Sequence, residues 1–537
     1  MILTADRIYT LDPQRPTVEA LVIVDGEIIA AGETERLRRE FSCHWREHVD
    51  GAVIPGLTDA HLHLQQYALN LQKVDCETPT LRACLERIAA RAAQTPSGAW
   101  LLGHGWNQNL WPDAPPGGFP AAADLDAVAP RNPVYLTAKS LHAAWASSAA
   151  LREAGITAQT PDPAGGRITR DEHGAPTGIL FENAMPLVSR AIPAPGTDEI
   201  AAALRRAQET LWEMGITGVH DFDRQDCFTA LQSLHAAGEL RLRVLKSLPI
   251  EAMEHAIALG LRSGFGDDFL RIGGLKAFAD GALGPHTAAM LAPYENEPGN
   301  RGMLLLDAEE LVELGRRAVA NGLSLAVHAI GDRANHEVLN AFERLLKDRG
   351  RRTGDGAQSP TASRPSSLRH RIEHVQLIHP EDAPRLARLG IAASMQPIHA
   401  VSDMQMADDF WGERAANAYG WRTQLEHGAV LAFGSDAPVE SPNPFWGLHA
   451  AVTRQRADGT PKGGWYPEQR LSRREALVAY TQGPAFIAGM EDRLGKLAPG
   501  YLADLLVLAA DPFEVDPAAL REMRPQKVMV GGEWVLP

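Results

Sequence analysis

Eight short apolar runs, separated by stretches of helical character, constrain this chain more than any other feature. They lie at 52–57, 216–222, 240–248, 272–278, 323–328, 368–374, 391–395 and 430–434. Strands that alternate with helices build a parallel sheet, and eight of them can close into an α/β TIM (β/α)8 barrel. The spacing is uneven. The interval from His63 to Ile216 is too long for one crossover helix. Residues 65–211 are therefore expected to form an insertion subdomain after strand 1, with its own strands at 100–106, 133–142 and 178–183.

The two ends of the chain read differently. Residues 1–10, 21–24 and 27–30 are short strand runs, the last two flanking Asp25-Gly26, a strong hairpin signal. Near the other end, 503–508 and two runs around Gly531-Gly532 answer them. Termini often lie close together. A small β-sandwich built from 1–54 and 488–537 is the expected second domain, leaving 55–64 and 212–487 to the barrel. The polar tract 349–367, rich in Gly, Ser and Pro, is expected to be a disordered surface loop.

Composition excludes several classes of partner. The net charge is −15, which argues against nucleic acid or an anionic membrane as the main partner. No run approaches the roughly 18 apolar residues of a membrane span. Residues 1–12 lack the basic region and apolar run of a secretory signal. Four cysteines, Cys43, Cys76, Cys84 and Cys227, are scattered without a Cys-x-x-Cys. A reducing, cytoplasmic setting and a small-molecule substrate are the expectation. A homodimer is compatible with the chain, but oligomeric state is not legible in it.

The chemistry starts at His61-Leu62-His63. On a strand, residues two apart share a side, so both imidazoles can reach one point, as a chelated metal requires. Alone this is weak: 19 histidines in 537 residues give roughly 0.7 such pairs by chance. Further chargeable groups sit at other strand ends, however. Lys276 lies on strand four, His328 ends strand five, His374 ends strand six and Asp436 follows strand eight. Active sites of TIM barrels form on that carboxyl-terminal face. Four histidines and a carboxylate suit zinc or a similar divalent ion.

This ordered set resembles the amidohydrolase superfamily, and in detail its third family of metal-dependent hydrolases, which includes N-substituted formamide deformylases. The motifs are Pro55-Gly56-Leu57-x-Asp59-Ala60-His61-x-His63, Lys276 with Asp280-Gly281, the 327–335 stretch, 371–374 and 434–439. The segment Gly495-Lys496-Leu497…Gly500…Ala503-Asp504 completes it. The resemblance implies a binuclear zinc site. His61, His63 and Asp436 would hold one ion, His328 and His374 the other, and Lys276, carbamylated by carbon dioxide, would bridge them. A bare ammonium cannot bind a cation, whereas a carbamate is an anion. A mononuclear site with Lys276 paired to Asp280 is the fallback.

The implied reaction is hydrolysis of a C–N bond, amide-like or formamide-like, in a small molecule. Metals lower the pKa of bound water toward about 7 and so supply hydroxide at neutral pH. Asp436 would be the catalytic proton carrier, taking the water proton and returning it to the leaving nitrogen. Its bland alternative is a turn cap in Ser435-Asp436-Ala437-Pro438.

Weaker candidates for substrate contact are Trp106, His142 and Glu182 on the insert, which is expected to cover the active-site mouth, together with His220 and His286. His220 could equally be a structural partner of its neighbours, and Pro285-His286 departs from the family, where Ser-Arg is common. Trp411, Trp421 and Trp446 read either as an apolar wall or as packing. Ester or cyclic amidine hydrolysis at the same centre is the alternative chemistry. A catalytically silent binding or regulatory protein should have lost a ligand, and none is missing here. A sugar-processing barrel would leave the histidines unexplained.

Overall fold

The computed structural model describes residues 1–42, 45–114, 118–140, 142–353 and 368–537. They divide into two compact units, one of Met1–Tyr67 with Leu204–Pro537 and one of Ala68–Ala203.

The first unit holds an eight-stranded parallel sheet. Its strands are β1 (Leu57–Leu62), β2 (Ile216–Asp221), β3 (Arg243–Pro249), β4 (Leu270–Phe278), β5 (Leu325–Ala329), β6 (Arg371–His374), β7 (Ala392–Met395) and β8 (Leu431–Phe433). Each pairs with the next in chain order. Several, such as β2 and β7, are buried along their whole length, which is why they read as near-continuous apolar runs. The sheet closes into a TIM barrel where β1 meets the residues after β8. Asp436 N–H donates to His61 O at 2.6 Å, and His63 N–H to Ala437 O at 2.8 Å. Leu62 and Ala437 form a parallel bridge there.

One expected strand is displaced. The run at 52–57 does not open the barrel. Residues Arg46–Pro55 form a strand of a second sheet, and β1 begins only at Leu57. The chain turns between them at Pro55-Gly56, a proline that cannot donate to a ladder followed by a glycine with no room for a side chain. A Cβ on Gly56 would fall 2.3 Å from Thr217 Oγ1. His61 therefore lies inside its strand, with His63 just beyond it.

That second sheet joins both ends of the chain. Its seven strands run Glu533–Leu536, Pro525–Val530, Leu505–Leu508, Arg46–Pro55, Ile2–Tyr9, Thr17–Val24, Glu27–Gly32. The Asp25-Gly26 hairpin forms as its sequence demands, with both residues at positive φ (48° and 82°). Asp504 ties this sheet to the barrel. Its carboxylate accepts from Arg243 Nε at 2.5 Å and Nη2 at 2.8 Å, and from the Gly531 N–H, while its carbonyl accepts from Gly56 N–H. Both side chains of the pair are 7% exposed.

The second unit, Ala68–Ala203, carries a six-stranded sheet in the order Gly166–Arg170, Pro176–Glu182, Ala143–Ala146, Val134–Ala138, Leu101–Trp106, Val74–Asp75. Its core packs Trp106, Trp111 and Trp145 against the helix Leu81–Gln94. In the tract 349–367, the helix Asp332–Thr353 runs through the first residues, and 354–367 lie outside the described residues. Trp411 and Trp421 are fully buried, so they pack rather than line a wall.

Removing one partner of a buried ion pair strands the other charge. Asp504→Ala is expected to lower unfolding free energy by about 3–5 kcal/mol in urea denaturation, and Arg243→Met with Asp504→Leu to recover most of it. A loss near zero for the single variant would show that this pair does not hold the sheets together.

Candidate metal centre

The seam between β1 and the residues after β8 builds the centre. Asp59, inside β1, accepts through Oδ1 from His61 N–H (3.0 Å) and Ser435 N–H (3.1 Å), and through Oδ2 from Ser435 Oγ–H (2.5 Å). Gly434 passes so close that a Cβ there would sit 2.5 Å from His61 N. This lattice aims Asp436 at the two histidines. Its Oδ1 lies 3.5 Å from His61 Nε2 and 3.6 Å from His63 Nε2.

The far nitrogens of both rings are taken. His61 Nδ1 is 2.6 Å from Glu373 Oε2, and His63 Nδ1 is 3.2 Å from Asp223 Oδ1. A carboxylate accepts there, so Nδ1 carries the proton and Nε2 presents a lone pair. At His61, burial and then the charges of Lys276 and Arg371 hold the imidazole neutral, well below its usual range. At His63, burial works downward, but the hydrogen bond and charge of Asp223 outweigh it and raise the value. A lone pair of His61 thus faces an oxygen of Asp436 with no proton between them. Two nitrogens and a carboxylate oxygen converging in this way suit a shared cation.

A second side faces the first. His374 Nδ1 is held by Gln396 Oε1 at 2.8 Å, and His328 Nε2 donates to Gly281 O at 2.8 Å. The His328 and His374 ring centroids are 4.7 Å apart, and those of His374 and His61 5.0 Å. Burial depresses both imidazoles, His328 to about 3. His374 and Asp436 adopt left-handed backbone conformations, φ 73° and 61°. Glu373 and His374, neighbours in sequence, both reach His61, which strict strand alternation would forbid. The left-handed turn makes it possible.

Lys276 sits between these sides, buried, its Nζ 4.7 Å from the Phe222 ring centre and 4.9 Å from that of Phe278. Burial pulls its ammonium down to about 8, against the opposing charges of Glu373 and Asp436. Burial raises the Asp436 carboxyl as well. Glu373 is pushed up by burial, but Arg371 and Lys276 outweigh this and keep it ionised. A cavity of about 410 Å³ opens beside the centre, lined by His63, Phe222, Arg224, Glu251, Lys276 and Phe278 among others.

Of the six residues expected as metal ligands, His61, His63, His374 and Asp436 fall into compact donor groups, while His328 is a ring neighbour of His374 and Lys276 lies between the Phe222 and Phe278 rings. Of four compact donor groups among the described residues, two lie at this centre: His61, His63 and Asp436, and His374, His399 and Asp436. The remaining candidates are placed otherwise. His220 is enclosed in the barrel, its Nδ1 2.7 Å from Arg371 Nη1, so its contact is with the scaffold. His286 is bound to Glu297 at 2.7 Å and stacked on Tyr294. In the insert, Trp106 is fully buried in the core and donates to Leu136 O. His142 and Glu182 are exposed and bonded to each other at 2.9 Å.

Sequence reasoning missed Asp223, Gln396 and His399, and gave Glu373 no part in the centre. Alternation along Arg371-Ile372-Glu373 already placed Arg371 and Glu373 on one inward face. His399, in the first turn of the helix Pro397–Trp411, was signalled only by its place directly after strand seven.

Residues 50–536 match the sequence profile of the amidohydrolase family. The chain belongs to that family. It is 35% identical over 98% of its length to the "Putative amidohydrolase YtcJ" of Bacillus subtilis (strain 168), covering 98% of that protein. The N-substituted formamide deformylase of Arthrobacter pascens is 29% identical, with 99% of this chain and 97% of that one aligned. The crystal structure of an uncharacterised metal-dependent hydrolase from Pyrococcus furiosus superposes with a TM-score of 0.76 at 30% identity, over 96% of this chain and 99% of that one. As an amidohydrolase the chain is a metal-dependent hydrolase on a TIM barrel. Among the described residues, no helix is long and apolar enough to cross a membrane.

Carboxylates behind ligating histidines fix the ring and raise its basicity. Glu373→Gln is expected to weaken metal binding about 10–100-fold in a chelator competition, with circular dichroism unchanged. Unaltered affinity would show that the Glu373–His61 bond serves packing alone.

Proposed function

We propose that this amidohydrolase cleaves an amide-like or formamide-like C–N bond in a small molecule at a binuclear centre. His61, His63 and Asp436 hold one divalent ion, zinc by the chemistry of the set. His328 and His374 would hold the other, and Lys276, once carbamylated, would supply an anionic ligand to the centre. The observation that carries this reading is Asp436: one oxygen within about 3.6 Å of the Nε2 atoms of His61 and His63. The name of the formamide deformylase relative supports the bond type.

The bound ions supply Lewis acidity and lower the pKa of water. The chain's own residues do the rest. Asp436, whose carboxyl burial has already raised, is poised to take a proton from water and pass it to the departing nitrogen. Glu373 and Asp223 hold His61 and His63 in one tautomer. Lys276 is prepared for carbamylation by its surroundings. Only a free amine attacks carbon dioxide, forming a C–N bond and releasing a proton, and burial between Phe222 and Phe278 favours the free amine. The same aromatic rings favour an apolar or planar substituent on the substrate, in a cavity sized for a small molecule. We place the reaction in the cytoplasm.

Two measurements test this. Elemental analysis of protein purified without chelators, with bicarbonate present, is expected to give two ions per chain, and a single ion would return Lys276 to a structural role. Asp436→Asn is expected to keep most of the metal and lower kcat on formamides and amides by at least about 100-fold. Full activity in that variant would remove Asp436 from proton transfer.

A further inference from the structure

His399 is the one imidazole at the centre that the ligand assignment above leaves without work. It stands in the first turn of the helix Pro397–Trp411, which starts directly after β7 at the carboxyl end of the barrel. The residue is 9% exposed, and its Nε2 has no hydrogen-bond partner. One ring nitrogen lies within 4.8 Å of a carboxylate oxygen of Asp436 and of a nitrogen of His374. Its ring is parallel to that of His374, 10° between planes and 6.2 Å between centroids.

The four other imidazoles each have one nitrogen anchored: His61 on Glu373, His63 on Asp223, His328 on the Gly281 carbonyl, His374 on the Gln396 amide. Metal-ligating histidines nearly always carry such an anchor, which fixes the tautomer and aims the lone pair. No such bond to the His399 ring is found among the described residues. A ring free to keep its proton on Nε2 suits donation better than ligation. It stands within 4.8 Å of a carboxylate oxygen of Asp436.

We propose that His399 is a catalytic residue whose Nε2–H donates to the acyl oxygen of the bound substrate and stabilises the negative charge that grows there. The proposal rests on the hydrolytic reading above and adds to it a requirement for a carbonyl-type oxygen beside the scissile nitrogen. Removing one preorganised donor of this kind costs about 10²–10³ in kcat.

The test uses the full-length metal-loaded protein with formanilide, acetanilide and benzamide as probes. His399→Phe is expected to lose about 10²–10³ in kcat. His399→Asn, which keeps a donor, should recover part of it. Metal per chain, and the visible absorption of the cobalt-substituted resting protein, should match the wild type in both variants. Wild-type kcat in His399→Phe overturns the proposal. So does loss of metal or an altered cobalt spectrum, which makes His399 a ligand. Wild-type protein that holds metal but turns over none of the probes refutes the hydrolytic reading itself, without reference to His399. A thermal melt of His399→Asn matching the wild type excludes misfolding as the cause of any loss.

Discussion

The closure of the barrel is the constraint on which the rest of this structure depends. Strands β1 and β8 are not joined by a regular ladder. They are held by the Asp436–His61 and His63–Ala437 backbone bonds and by the buried carboxylate of Asp59, which gathers two backbone donors and the Ser435 hydroxyl. The residues that shut the barrel are therefore neighbours of the candidate metal centre. Burial lifts the Asp59 carboxyl to about 7, and its hydrogen bonds oppose the lift. Gly434 lies so close to His61 N that a side chain there would not fit this closure. The distance from Asp436 to the two imidazoles is a consequence of how the sheet ends.

Backbone strain appears where aim matters. Left-handed conformations at non-glycine residues cost about 1–3 kcal/mol each where they are sparsely populated. His374 and Asp436 both take one, at the ends of β6 and β8. At His374, the last residue of β6, an ordinary extended backbone would turn the side chain to the other face of the sheet. At β6 the result is that Glu373 and His374 both serve His61, one as a proton acceptor and one as a ring neighbour. The surrounding packing absorbs the cost.

Much of this was legible in the residues. The eight apolar runs, the hairpin at Asp25-Gly26 and the pairing of the two termini follow from local pattern and turn chemistry. So does the gathering of His61, His63, Lys276, His328, His374 and Asp436 at strand ends. The start of β1 was not legible, because Ala52–Leu57 is an unbroken apolar run except for Pro55-Gly56, and its apolar character fits either sheet. What divides it is the lack of room at Gly56 beside Thr217, a tertiary fact. Asp223 and Gln396 were invisible for a similar reason: each acts through a partner far along the chain or around a bend. His286 and Trp106 looked like site residues because histidine and tryptophan in loops and insert strands carry the same letters whether they face a ligand or pack. Glu297 and Leu136 decide the matter, and neither is predictable from spacing.

The anchors behind the imidazoles also make the two halves of the centre unequal. His61 and His63 lean on carboxylates, His328 and His374 on a carbonyl and an amide. A carboxylate accepting the far N–H draws that proton away and pushes electron density to the ligating nitrogen, whereas a neutral oxygen does so less. Asp436 adds a negative charge beside His61 and His63. Under the proposed ligand assignment, the half built on β1 is the tighter site. The other half depends on the charge that a carbamate on Lys276 would add.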